Sequence, residues 1–283
     1  MMFTPTPAEL ALLNGWQDWP IEQAPLLVKK FTEGLNHQCY LVNSNDSLFV
    51  LKKSSNPQAI AIHSQQWASH LGIAPSVLFV NDDQTLFLMD YLPHDSNETS
   101  PTYLAKSLRT LHSAKYTKKA EQFDLLVTCD QYLRHCDHSL QRTHHHLIPA
   151  LTLLINDSTP LAYSHNDLVA DNCLSQQGSS CLIDWEYARY NNPWFDLASV
   201  ILYQDFDKYQ AKAFLSAYDQ RFAERVNKPI FHAASIAVLW LDILWHVSKF
   251  GNEHQLKLEK KYQKLHSISA VLNIHINPSL NIS

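Results

Sequence analysis

Ser164-His165-Asn166-Asp167-Leu168-Val169-Ala170-Asp171-Asn172, followed shortly by Leu182-Ile183-Asp184-Trp185-Glu186, decides how the rest of this chain reads. Short β-like runs flank the set, Leu161-Ala162-Tyr163 before it and Ser180-Cys181-Leu182-Ile183 within it. Each specified position of the pattern His-x-Asp-Leu-x-x-x-Asn is filled. A single aspartate in a loop is ordinarily a cap or a turn residue. The ordered set is harder to reach by accident. Asp167 offers a base for a hydroxyl group, and Asn172 and Asp184 offer oxygen ligands for a divalent ion.

Outward from that segment, size and composition set bounds. A chain of 283 residues is long for one compact core and predicts two lobes. Apolar residues make up 46% and charged residues 17%, an ordinary globular balance. A net charge of −5 argues against general nucleic-acid affinity. Five cysteines, at 39, 129, 136, 173 and 181, form no Cys-x-x-Cys pair, which predicts reduced thiols in the cytosol. Residues 1–20 lack a basic region followed by an apolar run, so no signal peptide is expected and a cytoplasmic location is. The most apolar long stretch, Phe231 to Phe250, carries Asp242 and two histidines and reads as a buried helix, not a membrane span. His144-His145-His146 predicts an exposed helical stretch, because adjacent helical residues point in different directions.

The order of elements is regular. Thr6-Pro7-Ala8-Glu9 is a capping box that starts a short helix running to about Gly15. Three strands are predicted at Leu26–Phe31, Gln38–Val42 and Leu48–Lys52, then a helix from Pro57 to Leu71 ending at Gly72. Two strands, Ser76–Val80 and Thr85–Tyr91, flank a turn at Asn81-Asp82-Asp83. Residues 93–101 are polar and mark a junction between lobes 1–93 and 94–283. Beyond it helices dominate: Tyr103–Ser113, Phe123–Leu140, Thr143–Ile155, and four more near 194–205, 208–225, 230–250 and 254–272.

The chain resembles the choline kinase, thiamine kinase and aminoglycoside phosphotransferase superfamily of small-molecule kinases. The residues that carry the resemblance are Ser164 to Asn172, then Leu182-Ile183-Asp184-Trp185-Glu186-Tyr187-Ala188, continuing into Asn192-Pro193-Trp194-Phe195-Asp196-Leu197-Ala198. It implies an α+β, two-lobed protein-kinase-like fold, with a small antiparallel-sheet N-terminal lobe for nucleotide and a mostly helical C-terminal lobe for catalysis and acceptor. It implies ATP and magnesium as cofactors and a small-molecule alcohol as the other substrate, with no nucleic acid and no membrane. Choline or a related amino alcohol is the first expectation, thiamine the second and an aminoglycoside the third. A catalytically weak nucleotide-binding protein is the reading of another class.

The resemblance assigns roles by position. Asp167 matches the base that orients the acceptor hydroxyl; Asn172 and Asp184 match the magnesium ligands, with Glu186 as a second acidic residue beside the metal. Two apart on an extended segment, Asp184 and Glu186 would share a side; pairing with Arg189 is the plainer account of Glu186. Asp196 matches a structural aspartate that braces the catalytic loop. Lys52, after Phe49-Val50-Leu51, resembles the strand lysine that neutralises the nucleotide phosphates, while Lys53 should face the other way. Gly34 and Asn36 sit at the phosphate-loop position, and Met89 and Tyr91 at the hinge that would meet adenine through backbone groups. The helix 57–71 departs from the pattern, because it holds no Glu or Asp to partner Lys52. Only twelve residues separate Asp184 from Asp196, too few for an activation loop, which argues against a protein substrate. Trp185, Tyr187, Trp240 and Trp245 are the candidate acceptor-binding aromatics. Trp240 and Trp245 lie off a common helical line, so one of them should line the acceptor site and the other pack in the core.

Overall fold

The computed structural model describes residues 3–31, 37–93, 100–176, 178–251, 253 and 255–279. In chain order it begins with α1 (Pro7–Leu10), β1 (Leu26–Lys30), β2 (His37–Ser44), β3 (Ser47–Ser54), α2 (Ala59–His70), β4 (Val77–Val80), β5 (Leu86–Asp90) and α3 (Pro101–Ser113). It continues with α4 (Leu125–Leu133), α5 (His138–Ile155), β6 (Ala162–Ser164), β7 (Cys173–Gln176), β8 (Ser179–Leu182) and β9 (Arg189–Asn191). Helices α6 (Trp194–Tyr203), α7 (Lys208–Tyr218), α8 (Gln220–Ala223), α9 (Pro229–Phe250) and α10 (Gln255–Val271) complete it. The chain divides into two compact units, residues 1–111 with 172–188, and residues 112–171 with 189–283.

The first unit is built on an antiparallel sheet in the order β1-β2-β3-β5-β4. The β2–β3 turn is Asn45-Asp46, both at positive φ, the conformation a two-residue hairpin turn demands and these residue types tolerate. Strand alternation splits the apolar residues between two faces. Tyr40, Val42, Leu51 and Leu88 pack with Trp19 and Leu27, while Phe87 and Met89 pack with Ile62 of α2. Helix α2 ends where the sequence predicts. Gly72 takes φ +73 and Ile73 N donates to the Ala68 carbonyl, closing the last turn. Helix α1 is shorter than expected: its capping box forms, but the chain tightens into a 3₁₀ turn before Gly15.

The hairpin β7–β8 belongs to this unit although it lies far along the chain. Leu182 N donates to the Ile73 carbonyl at 2.8 Å, and Ser107 Oγ to the Ser180 carbonyl at 2.7 Å. The units therefore differ from the continuous split at 93/94: α3 up to Leu111 and residues 172–188 group with the sheet.

In the second unit α9 is the axis, packed against α4, α5, α6 and α10. It is the one described helix long and apolar enough to cross a membrane, and 67% of its apolar window is buried inside the protein. The break between α4 and α5 falls at 134–137, not near residue 141 as the periodicity suggests. Asp137 caps α5 by accepting from Leu140 N at 3.0 Å, a signal overlooked in the sequence. His145 and His146 are exposed as expected, but His144 is buried and its Nδ1 accepts from the Trp240 indole at 2.9 Å. Asp242 on α9 receives Tyr203, Lys261 and His246, which ties α6 and α10 to the axis. Burial would raise its pKa, but the His246 hydrogen bond and the Lys261 ammonium overrule burial and lower it to about 2.

Asp242→Asn is expected to cost roughly 3 kcal/mol at neutral pH, since it strands Lys261 in a largely buried place. The folded pKa is the lower one, so this contribution is present above the unfolded value near 3.8 and is lost as pH falls toward 2. Urea denaturation of wild type and variant between pH 7 and pH 3 checks it; a gap that widens on acidification would contradict the argument.

Candidate active site

Lys52 emerges from β3 on the face shared with Phe87, its cross-strand neighbour, and is 5% exposed. Its Nζ donates to Asp184 Oδ1 at 2.7 Å. Burial pulls the ammonium pKa down, but the adjacent Asp184 charge more than restores it, so the net shift is upward and Lys52 stays charged. Lys53 turns to the other face and donates to Thr85 Oγ1, as strand alternation requires. Helix α2, which has no carboxylate to give, brings Gln65 instead; its Nε2 donates to the Pro75 carbonyl and the Met89 sulfur. The anion beside Lys52 is thus Asp184, from the segment after β8.

Asp184 adopts φ +67, a left-handed conformation that aspartate tolerates better than most residues. Residues 183–188 are not a strand, so the alternation argument for Asp184 and Glu186 fails. Their carboxylates converge nonetheless, with one oxygen of each and one ring nitrogen of His37 all within 4.8 Å of one another. Glu186 Oε2 lies 2.6 Å from His37 Nε2. Asn172 is buried at the foot of the same hairpin, its carbonyl accepting from Ile183 N at 3.0 Å. Carboxylate and amide oxygens are the donors a magnesium ion takes, so Asp184, Glu186 and Asn172 fit that ion by type.

Of the two residues expected at a hinge, Met89 lies in β5 and Tyr91 just past its end. Met89 is buried in the core under α2, and its main chain lies in the ladder between β3 and β4. The amides of Asp90 and Tyr91 donate to the carbonyls of Ser76 and Leu48. Gly34 and Asn36 lie outside the described residues.

In the second unit, the loop after β6 presents Asp167, which is half-buried. What shapes this loop is Asp196, fully buried on α6. Its two oxygens accept from His165 N and Asn166 N, each at 2.8 Å, and His112 Nε2 lies 3.0 Å from Oδ2. Burial alone would neutralise the carboxyl; the His112 hydrogen bond and charge, with those amides, hold its pKa below the usual range. Asn166 takes φ +65 and fastens itself to β9, its Oδ1 accepting from Asn191 and its Nδ2 donating to the Arg189 carbonyl. Asp167 follows directly. Its negative charge also helps raise the pKa of Tyr203, after burial and Asp242.

The acceptor aromatics fare unequally. Trp185 and Trp240 have no exposed surface, and their indole N–H groups are satisfied by the Leu182 carbonyl and His144. Neither presents a face to a ligand, which corrects the expectation of an acceptor contact for Trp185 and, of the pair on α9, makes Trp240 the one that packs in the core: large rings fill cores before they line pockets. Trp245 is half-buried, edge-on to His246 and Phe250, and Tyr187 is half-buried. Sequence reading missed His37, His112 and Tyr203. Each acts through a partner distant in the chain, and none lies in a motif.

Residues 28–229 match the model of the phosphotransferase enzyme family. The chain belongs to that family. It is 33% identical to Protein LicA of Haemophilus influenzae over 105 residues, a stretch that spans 35% of this chain and only 39% of that protein. Its fold is similar to that of the choline kinase LicA of Streptococcus pneumoniae, with a TM-score of 0.69 and 21% identity over 87% of this chain and 94% of that one. It is also similar to that of a thermostable mutant of aminoglycoside phosphotransferase APH(4)-Ia solved with AMP-PNP and hygromycin B, with a TM-score of 0.71 and 14% identity over 94% of this chain and 99% of that one. The fold is therefore α+β and protein-kinase-like.

Asp196→Asn is expected to destabilise the protein by about 3–5 kcal/mol, because its one NH2 group must face either the His165 or the Asn166 amide and leave that N–H unsatisfied, while the charge that holds His112 is lost. Chemical denaturation measures this, and an unchanged midpoint would remove Asp196 from its bracing role.

Proposed function

We propose that this chain transfers the γ-phosphoryl group of ATP to a hydroxyl of a small molecule, with choline or a related amino alcohol as the first acceptor to test. The observation that carries the reading is Lys52: a buried, charged lysine held 2.7 Å from Asp184, next to the second carboxylate of Glu186. A cation for phosphate oxygens beside oxygen ligands for a divalent ion is the arrangement phosphoryl transfer uses. Magnesium, bound by Asp184, Glu186 and Asn172, would neutralise charge on the phosphates. Asp167 takes up the acceptor proton and orients its oxygen, while Lys52 binds the phosphates. Membership of the phosphotransferase family and the likeness to the pneumococcal choline kinase support the class of reaction and the order in which acceptors are tried.

A second reading, a nucleotide-binding protein with weak catalysis, is favoured by one observation: Lys52 has no helix carboxylate and leans on Asp184 itself. Magnesium-dependent ATP turnover against choline, ethanolamine, thiamine and an aminoglycoside separates the two. Acceptor-dependent turnover supports the kinase; nucleotide binding without acceptor-dependent turnover supports the alternative.

Asp167→Asn should lower kcat by on the order of 10²–10⁴ while nucleotide affinity stays nearly constant, since the base acts on the acceptor. Asp184→Ala should behave differently, weakening binding of magnesium and nucleotide together. Calorimetry with a non-hydrolysable ATP analogue distinguishes the two variants, and unchanged affinity and stoichiometry in the second would remove Asp184 from the metal site.

A further inference from the structure

His37 opens β2 and carries no role in the reading above. Its Nε2 is 2.6 Å from Glu186 Oε2, and ligand atoms of His37, Asp184 and Glu186 fall within 4.8 Å of one another. Atoms bound to one ion at about 2.0–2.2 Å stand roughly 3 Å apart when adjacent and about 4.4 Å apart when opposite. The three groups therefore reach a common ion with small side-chain shifts. Among the described residues they are the one His, Cys, Asp and Glu group that converges this way.

A second observation points to a ligand. The His37 side chain is 7% exposed, yet its Nδ1, the ring nitrogen that does not face Glu186, has no hydrogen-bond partner among the described residues. A buried ring with one nitrogen unsatisfied is a costly way to hold one carboxylate, and such groups call for an explanation in function or in an ion. Imidazole also changes which ions suit the site. Carboxylate oxygens serve magnesium and manganese alike, whereas an added imidazole nitrogen favours first-row transition ions, most of all iron, nickel, copper and zinc, over magnesium.

We propose that His37, Asp184 and Glu186 form a three-ligand site that selects a first-row transition ion over magnesium, with His37 as the selecting ligand. The proposal rests on the reading that Asp184 and Glu186 are the ion-binding carboxylates. It makes the divalent specificity of this chain a property of β2 as well as of the segment after β8.

The test uses the full chain without nucleotide. Mn²⁺ is titrated and followed by electron paramagnetic resonance, pulsed spectra report directly bound nitrogen, and Mg²⁺ displaces Mn²⁺ to give its own Kd. Wild type should bind one Mn²⁺ at this site with a ¹⁴N coupling. His37→Gln should abolish the coupling and weaken Mn²⁺ about tenfold, with the Mg²⁺ Kd changed less than twofold. Bound Mn²⁺ without nitrogen coupling in wild type overturns the proposal. So does a coupling that survives in both His37→Gln and His37→Asn, or an equal loss of Mn²⁺ and Mg²⁺, which would leave His37 only steadying Glu186. Each of these leaves the kinase reading intact. Mn²⁺ binding unaffected by Asp184→Asn would instead remove the carboxylate assignment beneath both. If circular dichroism shows that the His37 variants do not fold, a wild-type coupling that disappears in Asp184→Asn supports the proposal, and one that remains overturns it.

Discussion

The constraint on which the second unit depends is a carboxylate buried beyond the reach of water. Asp196 would be neutral in an apolar core; the amides of His165 and Asn166 and the ring of His112 make its charge tenable. That arrangement works in both directions. To give two successive amides to one carboxylate, the backbone must turn sharply, and Asn166 turns through a left-handed conformation to do so. The strained residue is held again through its own side chain by Asn191 and Arg189. Asp167 therefore hangs from a loop fixed on two sides, and its position is set by a charge it never touches. If Asp167 acts as proposed above, preorganisation of this kind would spare it the cost of being ordered at the moment of reaction.

The first unit meets a different electrostatic problem. Lys52 is almost fully desolvated, and a lone buried ammonium would lose its proton. With no acidic residue on α2, the counter-charge comes from Asp184. One carboxylate stabilises the lysine and, in the function proposed above, would also hold an ion. Incoming phosphates would supply Lys52 with fresh negative charge at the moment Asp184 is drawn toward a metal. Glu186, held by His37, brings a second negative group to the same place.

Much of the fold was legible because its signals are local. The strands β1 to β5, the end of α2 at Gly72 and the split of Lys52 from Lys53 follow from alternation, turn residues and caps within a few positions. The break at Asp137 was equally local but lay inside a stretch whose helical periodicity continues past it, so the cap was overlooked. The residues of the proposed site were legible in part. Asp167, Asn172 and Asp184 sit in one ordered segment. By contrast, the His37 contact with Glu186 spans 149 residues and the His112 contact with Asp196 spans 84, and no pattern in a single sequence announces either. Trp185 and Trp240 show the opposite limit: aromatic residues in the right neighbourhood look like ligand contacts until burial shows that the core has claimed them.

The chain leaves the first unit after Leu111, builds part of the second, and returns with residues 172–188 before completing it. This routing bears on synthesis. When the ribosome has released the sheet and α3, Lys52 has a place in the fold but not yet its counter-ion, because Asp184 is still to be made. The nascent sheet must therefore leave that lysine hydrated or carry an unmatched charge until β7 and β8 arrive. Closure of its interior around Lys52 therefore waits for Asp184, and a fragment cut at the end of α3 would lack that counter-ion.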